Sequence, residues 1–307
     1  MKLLLYQTVL EKLKQKQIIF DGNPLGIDNV KHGYSEERGI EEIPIIHIQN
    51  VAEYFFAHET NFLNWDPYQD FPNIAPPFPA FWMEYHTPPK LRFKGQLNVV
   101  HEDARPRVGL LCQSKPTDGV DKPYEWEMRI MCFLSYKYFE HPVLPYWVRI
   151  AITPEGTVYP DAFHNGFSFH VAPVTGSEFA KQHTPFMYPG LLAISFLHCK
   201  NVEIVSKGGP KSPSKKRVRT PQTKHYTLHI EPMKKVLRSE GRIETTGIRQ
   251  ALHICRGHFK DYSKGKGLFG QHQGLYWWES HVRGSEKEGK IEKSYAVHPP
   301  KQENDDE

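Results

Sequence analysis

Four apolar runs, residues 108–112, 124–133, 146–152 and 167–171, follow one another with turn-forming residues between them, among them Pro154-Glu155-Gly156. Runs of this length bounded by turn chemistry read as strands, and successive strands joined by short connections pair antiparallel. This constrains the chain more than any other feature, and it predicts an α+β fold with a mainly antiparallel sheet and a few helices. The segment 78–85 (FPAFWMEY) closes a stretch dense in proline and aromatics and reads as a loop running into a further strand.

Helices are expected at fewer places. Leu5, Val9 and Leu13 recur at helical spacing, and the opening apolar run breaks at Gln7 before meeting Glu11, Lys12 and Lys14. An amphipathic first helix therefore fits better than a signal peptide. A short strand at 18–20 and a turn at Asp21-Gly22-Asn23-Pro24 follow. A second helix is predicted over 51–58, with Asn50 as its N-cap, Glu53 completing a capping box, and Val51 and Phe55 facing inward. Residues 191–197 fit a buried helix or a strand equally, because periodicity alone does not separate the two over so short a run.

At 307 residues, 39% hydrophobic and 13% aromatic, the chain has material for a core without disulfides. Cys112, Cys132, Cys199 and Cys255 are too scattered for a zinc knuckle or redox motif and read as reduced, mostly buried thiols. His198 beside Cys199 and His253 near Cys255 would form a metal site only by meeting in space, so no metal or cofactor is expected. No stretch reaches the roughly 20 apolar residues of a membrane span, and the expected location is the cytoplasm.

Charge divides the chain further. Residues 207–219 (KGGPKSPSKKRVR) hold six cations and no acid, while 303–307 hold four acids. The expected organisation is an N-terminal domain over 1–206, a basic exposed linker over 207–222, a His/Arg-rich C-terminal subdomain over 223–298 and an acidic tail over 299–307. Within the subdomain a strand at 226–230 and a short helix from Pro232 are predicted.

Histidine, arginine and aromatic residues concentrate in 252–283 (LHICRGHFKDYSKGKGLFGQHQGLYWWESHVR). Two apolar-rich segments, 252–262 and 275–283, flank a connection containing Gly265, Gly267, Gly270 and Gly274, the outline of a long-looped antiparallel hairpin. The helical alternative for 248–260 is disfavoured by Gly257.

Two-residue alternation would put Arg256, His258, Lys260 and Tyr262 on one face, and Glu279, His281 and Arg283 on one face of the second strand. Should those faces coincide, the set matches what metal-independent RNA cleavage uses. His258 and His281 would be the acid/base pair with Glu279 as alternative base. Arg256, Arg283, Lys260, Lys264 and Lys266 would hold phosphate, and Tyr262 would orient it.

Lys215, Lys216, Arg217 and Arg219 would add salt-sensitive affinity for a polyanion, and Trp278 a surface for base stacking. The glycine-rich connection lacks the Gly-Lys-Ser/Thr of a P-loop and does not match the dinucleotide fingerprint. Two other readings use other residues or roles: a non-catalytic nucleic-acid- or protein-binding module built from the same side chains, and a metal-dependent nuclease using Glu84, next to His86, with Glu125 and Glu127. For Glu125, Glu127 and Arg129 on one strand face, a surface ion pair ranks first.

The segments ICRGHFKDY, LFG and GLYWWESHVRG resemble a C-terminal signature of proteins carried by phages, plasmids and bacterial genomic islands. FLHCKNVEIV followed by YTLHIEP resembles their middle portion. The resemblance implies a mobile-element setting, with nucleic acid, RNA first, as partner and a protein inhibitor or antitoxin as a second one. It carries no activity and therefore assigns no catalytic residue.

Overall fold

The computed structural model describes residues 5–31, 33–34, 40, 43–58, 71–93, 96–99, 101–117, 122–167, 184–206, 225–230, 237, 239–240, 251–255, 258–278, 281–283 and 285–290. The chain divides into two compact units after Ile230. Among the described residues, helices and mainly antiparallel strands make an α+β fold.

The first unit is built on one eight-stranded sheet. Its strands are β3 (Ile45–His47), β4 (Ala80–His86), β7 (Arg107–Pro116), β8 (Trp126–Ser135), β9 (Val143–Ile152), β10 (Val158–Phe167), β11 (Val202–Ser206) and β12 (His225–Ile230). Two hairpins, β1 (Ile18–Phe20) with β2 (Asn23–Leu25) and β5 (Lys90–Phe93) with β6 (Gln96–Val99), lie outside it. The order is β10-β9-β8-β7-β4-β3-β12-β11. The neighbours from β10 through β4 pair antiparallel. The β4–β3 and β3–β12 contacts are parallel. A parallel pair needs a crossover, and helix α3 (Gln49–His58) lies between β3 and β4 in the chain.

Both sheet faces are covered, which is why the central strands read as unbroken apolar runs. On one face, a register row of Trp82, Leu111, Met131 and Trp147 meets helix α1 (Leu5–Lys14), whose Leu5, Tyr6, Val9 and Leu13 are buried in the same cluster. Helix α2 (Ile27–Lys31) adds Val30 to that layer. The opposite face presents Met83, Leu110, Cys132 and Tyr146. It packs under α3 and α4 (Tyr188–Leu197), with Phe56 against Tyr85 and Phe55 against Tyr188.

Gly109 sets the approach of the first face. A Cβ there would stand 2.1 Å from Trp82 Cζ2 and 3.1 Å from Leu5 Cδ2. The indole is rigid and hydrogen-bonded, so it cannot swing aside cheaply. Gly109→Ala is expected to cost about 3 kcal/mol through overpacking, read as a fall in the urea midpoint at unchanged slope. A midpoint equal to wild type would show that α1 and Trp82 have room to move.

Several expectations hold. The first helix, the strand at 18–20, and strands covering 108–112, 124–133 from residue 126 onward, 146–152 and 226–230 are present. Asp21 and Gly22 have φ of 48° and 76° and form the two-residue loop between β1 and β2, the pattern of a type I′ turn. Residues 191–197 lie in a buried helix.

Others are corrected. α3 starts at Gln49, so Asn50 lies inside it, and Asn50 Nδ2 donates to Leu228 O at 3.0 Å instead of capping. Glu53 accepts from Gln49 Nε2 at 3.0 Å, so a tertiary tie and a side-chain pair replace the expected capping box. Val51 and Phe55 are buried as expected.

Of the strand expected at 167–171 only Phe167 is described, as the last residue of β10, and 168–171 lie outside the described residues. The chain turns at 153–157 and returns at once along β9, with a register shift between Val158 and Phe163 that spans Pro160. A proline tolerated at an irregular edge strand hides the strand from a pattern search. The first unit also ends later than residue 206, because β12 pairs between β11 and β3 in the large sheet. The proposed linker 207–222, the tail 299–307 and the first turn of the helix expected from Pro232 lie outside the described residues.

Candidate nucleic-acid interface

The second unit holds the predicted hairpin. Strand β13 (Ala251–Cys255) pairs antiparallel with β16 (His281–Arg283), and β14 (His258–Asp261) with β15 (Leu275–Trp278). Strand β17 (Ser285–Lys290) runs parallel to β13. Both antiparallel ladders keep one register, from His253↔Arg283 to Asp261↔Leu275. Tyr262 N continues it by donating to Gly274 O at 2.8 Å. The glycine-rich connection between them is a second, tighter turn.

That connection is ordered by its own hydrogen bonds. Ser263 N donates to Asp261 Oδ1 at 2.8 Å, and the Ser263 hydroxyl donates to the same oxygen. These two donors hold the Asp261 carboxyl below its ordinary range. Further out, Leu268 N donates to His272 O at 3.0 Å and Gln271 N to Leu268 O at 3.2 Å. Phe269 and Gly270, the central residues, have φ of 52° and 74°, again the type I′ pattern. Glycine takes such a φ freely, whereas a bulky residue there is strained by roughly 1–2 kcal/mol. Phe269 nonetheless occupies the position with 52% of its surface exposed.

A small core supports the hairpin. Leu237 and Tyr276 are buried, with Tyr262, Leu268 and Trp278 packed against them. The rings of Tyr262 and Tyr276 lie 6.0 Å apart, and burial pushes both phenols above their ordinary pKa. His272 Nε2 meets Glu240 Oε2 at 2.9 Å and its ring stands edge-on to Tyr276. Gly267 is boxed in by His272 O, 2.6 Å from where a Cβ would be.

The sequence-predicted residues fall as follows. Lys260, Lys264 and Lys266 are exposed, and Lys260 Nζ sits 4.8 Å from the centre of the Trp278 ring. Trp278 is half-buried, so it shares itself between the small core and the surface. Tyr262 belongs to the core cluster.

His258 stands opposite Trp278, while His281 stands opposite Cys255 and Arg283 opposite His253, which places the two histidines on rungs three apart. The side chains of His258, His281 and Arg283, and all of Arg256, Glu279, Lys215, Lys216, Arg217 and Arg219, lie outside the described residues. Phe269 was missed by sequence reasoning. A Gly-Leu-Phe-Gly string shows a turn, but not that the aromatic takes its exposed apex.

The sheet sets the carboxylates of the metal-nuclease arrangement apart. Glu84 lies opposite Gly109 and Glu127 opposite Lys115, six residues along the same strand, which is about 20 Å at strand rise. Glu127 pairs with Lys115 at 3.6 Å, whereas Arg129, the cation expected to pair on that strand face, bonds Gln113 Oε1. Among the described residues no group of histidines, cysteines and carboxylates could hold a metal. His198 Nε2 bonds Ala75 O at 2.8 Å and Cys199 Sγ bonds Ser195 O at 3.5 Å, so both are spent on backbone. Burial raises the thiols of Cys132 and Cys199 to about 12, which keeps both protonated and inert.

No protein-family profile, no curated protein and no solved structure matches the chain. Among the described residues no helix is long and apolar enough to cross a membrane.

Proposed function

We propose that the chain is a cytoplasmic, mobile-element protein that binds single-stranded nucleic acid, RNA first, through the hairpin of its second unit. One observation carries this reading. The hairpin carries exposed Lys260 and the half-buried ring of Trp278 on its paired strands, and exposed Lys264, Lys266 and the ring of Phe269 on the loop that joins them. Cations that track a phosphate backbone, joined to rings on which bases stack, are the two elements of sequence-tolerant single-strand binding. Binding is favoured over cleavage because the described side chains are suited to holding phosphate and stacking bases.

The test is fluorescence anisotropy of labelled single-stranded RNA and DNA against salt. Replacing Lys260, Lys264 and Lys266 together by alanine should flatten the log–log salt slope by about two, at roughly 0.7 per phosphate contact. Absence of binding at low salt, or a slope unmoved by the triple variant, overturns the reading. The same incubations in EDTA are scored for new RNA ends. Ends that disappear in His258→Ala and His281→Ala would replace the binding reading with the metal-independent ribonuclease.

A further inference from the structure

On the α1 face of the large sheet, the apolar row ends and the next row outward reads Ala80, Gln113, Arg129, Arg149. Two guanidinium-bearing positions therefore face each other directly across β8 and β9, an arrangement that repels. Arg129 Nη2 donates to Gln113 Oε1 at 2.8 Å and to Val30 O at the end of α2. The guanidinium lies 4.3 Å from the centre of the Tyr34 ring, and Lys115 Nζ lies 5.3 Å from it.

Burial and the Arg149 charge both disfavour the Arg129 cation, so the site holds a charge at a cost. The nearby carboxylate, Glu127, is 3.6 Å from Lys115, and among the described residues neither arginine has an ion pair. Among the described residues, three cations thus stand beside one acid. One polar atom is also left over: Arg129 Nε is buried without a hydrogen bond. Arg129, and Arg149 through a hydrogen bond to the Tyr34 hydroxyl, favour loss of the phenol proton, but burial outweighs both and the hydroxyl keeps it. Buried donors and unmatched cations are each unfavourable alone. Their coincidence points to an anion as the missing partner.

We propose that this row is a binding site for a phosphoryl group of a small molecule, held between Arg129 and Arg149, with Tyr34 as a neutral donor and Lys115 at the rim. Two guanidinium forks and a hydroxyl match the several acceptor oxygens of a phosphoryl group. The site belongs to the first unit and does not depend on the hairpin reading.

The test is thermal unfolding of the full chain titrated with inorganic pyrophosphate, with sodium chloride holding ionic strength constant. The midpoint should rise with the logarithm of pyrophosphate, as it does for any ligand that binds only the folded state. Arg149→Gln should shift the response to at least tenfold higher pyrophosphate, while its ligand-free midpoint stays equal to wild type or rises because the repulsion with Arg129 is gone. The variant lacking Lys260, Lys264 and Lys266 should keep the full response, which separates this site from the hairpin. The proposal is overturned if chloride alone reproduces the rise, if Arg149→Gln responds like wild type, or if the hairpin variant abolishes the response.

Discussion

Glu84→Ala is expected to destabilise the first unit by about 3–5 kcal/mol, the usual result of removing one member of a buried charged set. The Glu84 side chain is 9% exposed. Its Oε2 accepts from Trp82 Nε1 at 3.0 Å and from Tyr6 N in the first turn of α1 at 3.3 Å. Its Oε1 faces His47 Nδ1 and Arg107 Nη2, each at 3.8 Å. One carboxylate thereby orients the indole that packs against Gly109, accepts from a backbone N–H in the first turn of α1, and faces Arg107. Alanine strips the acceptor from two buried donors, and each orphan costs about 1–3 kcal/mol. Glu84→Gln keeps an acceptor oxygen and should recover part of the loss. Urea unfolding decides it: an alanine variant within about 1 kcal/mol of wild type would mean that water reaches these donors.

The same residue marks what sequence can and cannot tell. Glu84 was visible as a candidate, but its role depends on Tyr6 and Trp82, and only the register of β4 against β7 and the docking of α1 bring these together. The helix of Leu5, Val9 and Leu13 and the central strands were legible because their apolar periodicity is strong and local. The strand over 158–166 was not legible because proline, aspartate and asparagine dilute its pattern, and only pairing with β9 defines it. Residues 225–230 look the same in either unit, and their parallel contact with β3 assigns them.

The hairpin was legible for a different reason: its turn chemistry and its two apolar arms lie within one short stretch. Its antiparallel pairing could be expected, but neither its register nor the identity of the residue at its apex could. Likewise Arg129 was seen sharing a strand face with Glu127. Arg149 entered the row only through the pairing of β9, a contact between runs that no local pattern relates. Local signals wrote the elements, and long-range register wrote the sites.

Phe269→Ala is expected to weaken single-stranded RNA binding by about 1–3 kcal/mol, roughly 5- to 150-fold, the worth of one base stacked on an aromatic ring. The position is a useful probe because Phe269 is half-exposed at the apex of its turn and is not among the residues of the Leu237–Tyr276 cluster. Removing an exposed ring should leave stability within about 0.5 kcal/mol. The αL backbone supports the choice: a phenylalanine at φ 52° beside Gly270 is held where glycine would sit without strain, and such strain persists where the side chain has a use.

Phe269→Tyr and Phe269→Trp keep a ring and should keep affinity, which distinguishes stacking from mere apolar contact. Trp278→Ala is the harder comparison, since that ring also packs against the small core and would lower stability and affinity together. A Phe269→Ala protein that binds RNA like wild type while the lysine variant does not would leave an electrostatic grip without a stacking platform. Retention of affinity by both would remove the hairpin from the interface.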